Sequence, residues 1–391
     1  MTMRFKNLLS ATMLCALLGV AAAPLYAEPI VPTRDDQVID VLPAISGSRA
    51  EQRRLRNQLA QQPHDPALAL AVARRYLDQA HALGDPRFAG LAMAAIESWT
   101  IEATMPDDVL MMRATLQQYL HQFDTAVASL QTLLARPGGP PRPQTWLTLA
   151  TVRRVQGRYA DSDAACRQVA RTGAALHANA CLAENAALRG DVGRARAVFT
   201  GLLEQGRNPP ATQAWLTTSL AELEQRAGHA SAAEAAYQTA LRLDPDPYTT
   251  LAYADFLIEQ KRPAQALVVL KGQTRSDPVL LRLAIAATQA NAATAAADVA
   301  EMRERIALAN ERPEAKIFHG REQAMFALAV DHDAARALEL ARGDVAQQRE
   351  SLDLLVFAQA ARASGQPAAL QEVKRIVTEM GLVDQRINEL L

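Results

Sequence analysis

Apolar and polar residues follow the period of an α-helix from about residue 51 to the end of the chain. Long segments rich in alanine and leucine carry this pattern, and short turns separate them. We find no stretch with the period of two that indicates a β-strand. The pattern therefore predicts an all-α protein, and its regular interruptions are typical of an internal repeat.

The turns recur at nearly constant distances. They are centred on Gly84, His121, Gly157, Gly190, Gly228, Lys261, His332 and Gly365. The first five spacings are 37, 36, 33, 38 and 33 residues, and the last is 33. The interval from Lys261 to His332 is 71 residues, so one degenerate turn is expected within residues 291–297. The spacing predicts about nine helical hairpins, of which the first, second, seventh and eighth are the least regular.

Small residues occupy two fixed columns of the repeat. Seven residues before the turn, six of the seven hairpins compared have alanine: Ala114, Ala150, Ala183, Ala221, Ala254 and Ala358. The residue five after the turn is also small in most of them, as in Ser162 and Ala233. Two helices approach closely only where neither side chain intrudes, so these columns predict the contact line within each hairpin. The few aromatic residues, 5% of the chain, fall largely in the large-residue columns beside it.

The repeat resembles the tetratricopeptide repeat (TPR) family. Trp146, Leu149 and Ala150 are similar to the first-helix signature of that family, although Arg153 replaces its usual tyrosine. The second-helix signature is matched by Ala233, Tyr237, Ala240 and Pro245. The resemblance covers roughly residues 60–380, is strongest over residues 143–278, and extends to uncharacterised exported TPR proteins of bacteria. It implies an α-solenoid, a right-handed superhelix whose first helices line a concave binding face.

The first 27 residues have the features of a cleaved secretory signal peptide. Arg4 and Lys6 precede a short apolar stretch, and Ala27 provides a small residue at the cleavage point. A retained membrane anchor is the alternative. Cleavage removes two positive charges, so the formal net charge changes from −1 to −3. The expected location is periplasmic or secreted, with no stable insertion in a membrane after cleavage.

Three further segments complete the predicted organisation. Residues 28–50 contain three prolines and no helical period, which indicates an extended linker or, alternatively, a tether or docking strand. Residues 51–391 form a single solenoid, because stacked hairpins make one continuous body; a hinge at residues 136–143 is the alternative. Residues 373–391 are expected to cap the exposed end of the array, with a dimer contact as the other interpretation.

Two cysteines remain after signal cleavage. Cys166 lies in a second helix and Cys181 in the first helix of the next hairpin, at similar heights on neighbouring antiparallel helices. In an oxidising compartment this arrangement favours a disulfide. The alternative is a pair of small buried apolar residues.

The sequence carries no established catalytic or metal-binding motif. His177 and Cys181 have a chelating spacing, but no further ligand accompanies them. The 41 basic and 42 acidic residues nearly balance, which argues against nucleic-acid binding. We therefore expect no enzymatic activity, no metal and no cofactor.

The positions expected to face the groove of the central repeats are neutral or acidic. They exclude a clamp for an acidic peptide tail, which would need cations there. The candidate groove residues are Glu184, Trp215, Glu222, Tyr248 and Asp255, with packing between repeats as the alternative role of Trp215. These features favour a scaffold in the bacterial cell envelope that binds a protein or peptide partner, best a helical or basic-apolar one. A soluble accessory factor that assembles or delivers a metal, haem or polysaccharide is the alternative.

Overall fold

The computed structural model describes residues 49–138, 141–206, 208–311 and 320–391. These ranges contain helices and no strands, so the prediction of an all-α chain is confirmed. The predicted signal peptide and nearly all of the predicted linker lie outside the described residues. Within the described ranges, every helix is too short or too polar to traverse a lipid bilayer.

The described helices form nine hairpins, which confirms the predicted α-solenoid. Helix α1 (Arg49–Gln61) precedes them. The first helices are α2 (Pro66–Leu83), α4 (Asp107–Tyr119), α6 (Pro143–Val155), α8 (Ala175–Leu188), α10 (Pro210–Arg226), α12 (Pro247–Glu259), α14 (Asp277–Gln289), α16 (Gly320–Ala329) and α18 (Ser351–Ala363). The second helices are α3 (Pro86–Ala94), α5 (Phe123–Ala135), α7 (Tyr159–Arg171), α9 (Val192–Glu204), α11 (Ala230–Leu243), α13 (Pro263–Leu270), α15 (Ala295–Asn310), α17 (Ala334–Val345) and α19 (Pro367–Met380). A 3₁₀-helix (Glu102–Thr104) follows α3, and the short helix α20 (Gln385–Asn388) ends the chain.

Each hairpin turns at a residue in the left-handed backbone conformation. The turn residues with positive φ are Gly84, His121, Gly157, Gly190, Gly228, Lys261, Asn291, His332 and Gly365. Asn291, with φ of 50°, is the turn of the degenerate hairpin expected between Lys261 and His332. A left-handed residue after a helix allows its backbone N–H to bond the last carbonyls and reverses the chain. The spacing in the sequence therefore located all nine turns.

The small-residue columns form the close contact within hairpins. Ala150 on α6 is fully buried, and its carbonyl accepts a hydrogen bond from the Ser162 hydroxyl of α7 at 2.8 Å. Asn185 on α8 donates to the same hydroxyl at 2.9 Å, so the contact extends into the next hairpin. The aromatic residues of the large columns fill the core beside this line: Tyr76, Phe123, Tyr159, Phe199, Tyr237, Tyr253 and Phe357.

A disulfide joins Cys166 of α7 to Cys181 of α8, as predicted from their heights on neighbouring helices. The two Cα atoms are 5.8 Å apart, and both residues are buried. The bond links the third hairpin to the fourth. It adds a covalent connection to an interface that also holds the Asn185–Ser162 hydrogen bond and the Arg189–Asp163 ion pair.

The loop between α5 and α6, where a hinge was the alternative, is bound at both ends to α4. Arg136 and Arg142 flank it and donate to the two carboxylate oxygens of Asp107 at 2.5 and 2.6 Å. The two guanidinium groups hold the pKa of Asp107 below its ordinary value. These ion pairs restrain the ends of the loop relative to the second hairpin.

The solenoid closes on itself at two places. A Cβ atom placed on Gly84, at the first turn, would lie 2.6 Å from Cδ of Pro278 in α14. The end of the chain contacts the middle of the array: the Val383 N–H donates to the Leu188 carbonyl at 2.8 Å, and the Arg349 N–H donates to the Val155 carbonyl at 2.7 Å. Hairpins far apart in sequence are therefore neighbours in space.

Candidate functional site

The five predicted groove residues lie on three successive first helices. Glu184 is on α8, Trp215 and Glu222 are on α10, and Tyr248 and Asp255 are on α12. The Tyr248 hydroxyl donates to Glu222 at 2.5 Å, which joins α10 to α12. In the same way, Ser219 of α10 donates to Glu184 at 3.1 Å, which joins α8 to α10. We call the surface formed by these helices the groove face.

Trp215 both packs and remains accessible. Its ring stacks on His177 of α8, with ring centroids 5.8 Å apart and planes inclined by 22°. Even so, 37% of the residue is exposed. The contact between repeats fixes the indole orientation and leaves part of its apolar surface available to a partner.

Arginines neutralise the carboxylates that gave the groove its predicted acidic character. Asp255 accepts from Arg282 of α14 at 2.6 Å. Glu184 pairs with Arg154 of α6. The guanidinium of Arg226 lies 4.0 Å from Glu222. These ion pairs join neighbouring first helices or successive turns of one helix, so they hold the polar part of the groove face in a fixed arrangement.

Tyr248 is the most accessible aromatic residue of the groove face. Its exposed fraction is 64%, and it lines a cavity. The negative charge of Glu222 and, secondly, burial raise the pKa of Tyr248 well above its ordinary value. Burial likewise raises the pKa of Glu222, against the opposing effects of Arg226 and the Tyr248 hydroxyl. The phenol therefore keeps its proton at neutral pH and donates a hydrogen bond to Glu222.

The cavity has a volume of about 550 Å³ and is built from three distant parts of the chain. The first two hairpins contribute His81, Tyr119 and Phe123; the seventh contributes Pro278, Met302 and Ile306; the segment before α18 contributes Gln348 and Glu350. Closure of the solenoid brings these parts together around Tyr248. A concave site with a largely apolar surface is typical of a ligand site. The lining also holds five charged residues: Asp277, Arg305, Arg321, Glu322 and Glu350.

A buried ionic cluster lies behind the cavity wall. Asp353 is buried and accepts from Arg321 at 2.9 Å, from Gln348 at 3.2 Å and from the Glu350 N–H at 2.7 Å. Burial raises the pKa of Asp353, and it raises the pKa of the adjacent Asp344 to about 6. The Asp344 Oδ2 atom has no hydrogen-bond partner among the described residues. This cluster stabilises the position of Arg321 and Glu350 in the cavity wall, but it contains one poorly satisfied acid.

Replacement of Asp344 by asparagine is expected to stabilise the fold at pH 7 by about 1–2 kcal/mol and to have little effect at pH 4. The folded chain binds the Asp344 proton more tightly than the unfolded chain, whose aspartates titrate near 3.9. Asp344 therefore destabilises the fold increasingly as the pH rises from about 4 to about 6. Denaturant unfolding at both pH values measures the effect. Asp331→Asn, at an exposed ion pair with Arg303, is the control and should change stability by less than about 1 kcal/mol. Equal effects of Asp344→Asn at both pH values would contradict the expectation.

The described residues hold no group of three or more potential metal ligands. Of the pair with chelating spacing, Cys181 is in the disulfide and His177 stacks on Trp215. The sulfur of Cys181 is therefore not free to bind a metal.

Comparison with known proteins gives only distant likenesses. No family model matches the chain, and no curated protein matches it. A tetratricopeptide repeat protein from Parabacteroides merdae is similar with a TM-score of 0.45 and 16% identity, over 59% of this chain and 89% of that one. A Rap protein complexed with competence and sporulation factor has a TM-score of 0.44 and 12% identity, over 85% of this chain and 92% of that one. Pseudomonas aeruginosa pilF has a TM-score of 0.37 and 15% identity, over 51% of this chain and 90% of that one. Likeness at this level identifies neither a partner nor an activity.

Proposed function

We propose that this chain is a non-enzymatic scaffold of the bacterial cell envelope that binds a protein or peptide partner on its groove face. The observation that carries the proposal is Tyr248, an accessible aromatic side chain held inside a cavity of about 550 Å³. Tyrosine and tryptophan in concave surroundings dominate the binding energy of many protein interfaces. Trp215, on the preceding first helix, adds a second accessible aromatic surface.

The groove face is organised before any partner arrives. The Tyr248 hydroxyl is fixed by Glu222, the Trp215 ring is fixed by His177, and Arg282 holds Asp255. A binding surface whose side chains are already ordered loses less conformational entropy on association. This favours recognition of a partner segment by a rigid surface.

The chemistry of the surface favours a partner segment that is apolar and basic. Most of the lining area around Tyr248 is apolar, and the charged residues of the lining are three acids and two arginines: Asp277, Glu322, Glu350, Arg305 and Arg321. Glu350, which pairs with Arg321 at 3.0 Å, also lines the cavity, and about half of its side chain is exposed. A cationic side chain can approach the face of Tyr248 and the Glu350 carboxylate together. An apolar helix with one or two lysines or arginines satisfies both kinds of contact.

Two features support a location in the cell envelope. Residues 1–27 carry the features of a secretory signal. The disulfide between Cys166 and Cys181 is a bond that persists in oxidising compartments. Fractionation of cells that express the full chain tests the location, and a product confined to the cytosol with intact residues 1–27 would contradict it.

Replacement of Tyr248 by alanine is expected to weaken partner binding at least tenfold, or about 1.4 kcal/mol. A photo-crosslinking amino acid at position 248 or 215, used in intact cells, first captures the partner and maps the contacted segment. Titration of that segment against wild-type and Tyr248→Ala chains then measures the affinity.

Val268 provides the matched control for both steps. It lies on second helix α13, is 72% exposed and does not line the cavity. A crosslinker at position 268 should give none of the adducts seen at 215 and 248, and Val268→Ala should bind as the wild type does. Equal capture from all three positions, or a mapped segment rich in acidic residues, would contradict the proposal.

A further inference from the structure

The end of the chain lies across the turns of the central hairpins. We call residues 380–391 the C-terminal segment. Its Val383 N–H donates to the Leu188 carbonyl at the end of α8, at 2.8 Å. Its Arg386 side chain donates to Glu259 at the end of α12, at 3.0 Å. The partners in these two contacts are separated from the segment by more than a hundred residues of sequence.

Successive residues of the segment meet successive turns in order. Met380 lies against the turn at Gly157, Val383 against Gly190, and Gln385 against Gly228. Arg386 then reaches the end of the next first helix. The segment therefore follows four consecutive hairpins in the direction of the array.

The close approach of the C-terminal segment explains the glycines at 157, 190 and 228 better than their backbone conformation alone does. Four other turns adopt the same left-handed conformation with His121, Lys261, Asn291 and His332. Left-handed backbone costs a residue with a side chain about 1 kcal/mol, and these four positions tolerate that cost. At Gly190, by contrast, a Cβ atom would lie 3.1–3.4 Å from three carbon atoms of Val383. A side chain there would obstruct the segment.

We infer that the turns at Gly157, Gly190 and Gly228, with the Leu188 carbonyl and the Glu259 carboxylate, form a peptide-recognition surface, and that its occupant is the C-terminal segment of the same chain. The surface selects an apolar residue and, three positions later, a basic one, as in Val383 and Arg386. When the segment is bound to this surface, it connects the end of the solenoid to the central hairpins. Ser351, next to the cavity residue Glu350, donates to Asp384 of the segment, so the bound segment also holds one wall of that cavity.

An engineered disulfide tests the occupant directly. A Cβ atom on Gly190 would lie 3.3 Å from Cβ of Val383, close to the separation that a disulfide spans. We expect the full chain carrying Gly190→Cys and Val383→Cys to form this bond within one monomer under mild oxidation, as mapped by peptide mass spectrometry. The control pair Gly365→Cys and Val383→Cys should not form it. Absence of the 190–383 bond would overturn the inference, and a bond between two chains would replace the occupant by a second copy.

A single substitution tests the role of the glycine. Asparagine tolerates left-handed backbone, so Gly190→Asn adds a side chain at little conformational cost. We expect at least a tenfold loss of hydrogen-exchange protection at the Val383 amide. Gly365→Asn is the matched control, because Gly365 has a positive φ of 63° and nothing within 4 Å of a Cβ atom. Unchanged protection at Val383 in Gly190→Asn would overturn the inference, and so would an equal loss in both variants.

Discussion

Replacement of Arg386 by methionine is expected to destabilise the folded chain by about 3–5 kcal/mol at pH 7. Arg386 donates to Asp384 at 2.7 and 3.0 Å and to Glu259 at 3.0 Å. Asp384 is fully buried and has Ser351 as its other side-chain partner. Methionine retains most of the volume of the side chain but leaves the carboxylate buried without its countercharge.

The pH dependence of this loss follows from the pKa of Asp384. Burial alone would raise that pKa, but Arg386 and the Ser351 hydroxyl hold it below the ordinary value. In the wild type, the group therefore contributes stability that is present above about pH 4 and is lost as the pH falls. In the variant the Ser351 hydroxyl and the charge of Arg226 remain, but the main opposition to burial is lost. Protonation relieves the buried charge, so the difference between the two proteins should shrink in acid. Denaturant unfolding at pH 7 and at pH 4 measures both effects.

Arg375→Met is the control for Arg386→Met. Arg375 forms an exposed ion pair with Glu379 in α19, and pairs of that kind contribute less than about 1 kcal/mol. The double variant Arg386→Met with Asp384→Asn should recover part of the lost stability, because it removes the buried charge. If Arg386→Met costs no more than Arg375→Met, the ion pair does not stabilise the position of the C-terminal segment.

Removal of the disulfide by replacing Cys166 and Cys181 with alanine is expected to cost about 3 kcal/mol. The bond closes a loop with a sequence separation of 15, and constraint of the unfolded chain accounts for a stabilisation of that size. Thermal unfolding of the two proteins, with and without a reducing agent, measures the loss. The reducing agent should lower the unfolding temperature of the wild type and leave that of the double variant unchanged.

A thiol titration provides the independent check on the disulfide. A denatured, unreduced chain without residues 1–27 should show no reactive thiol, because both of its cysteines are in the bond. Two reactive thiols would show that the cysteines are free in the protein.

The features that sequence analysis predicted are those encoded within one hairpin or between adjacent hairpins. The turn at Asn291 was located from spacing alone, and Ala150 and Ser162 were paired from their distances to Gly157. Cys166 and Cys181 were matched because each helix of a solenoid packs against the next. In each case the partners are close in sequence, so helical geometry determines how they meet.

Closure of the solenoid could not be predicted in the same way. The approach of Gly84 to Pro278 depends on the rotation of each hairpin relative to the next, added over several hairpins. No single residue in the sequence indicates the total rotation. The contacts of Val383 and Arg386 with the central hairpins follow from that closure. Residues 373–391 were expected to cap the exposed end of the array, and their contacts with the central hairpins were not predicted.

In the candidate site, too, the sequence predicted the positions of residues within helices but not the contacts between distant helices. The residues of the groove face were selected from their helical positions, and the Tyr248–Glu222 and Ser219–Glu184 hydrogen bonds link three of its helices. Their ion pairs were missed, although Arg226 stands four residues after Glu222, a spacing that allows a pair on one helix. Arg154 and Arg282 lie on other first helices. Their pairing with Glu184 and Asp255 depends on the stagger between repeats.

The contact between Gly84 and Pro278 also restricts how this protein can change in evolution. An open solenoid can gain or lose a repeat by duplication or deletion, because each unit touches only its neighbours. Here, insertion of one hairpin between the first and the seventh would move Pro278 away from the first turn and displace the residues that meet around Tyr248. The number of hairpins between these two points is therefore fixed by the fold.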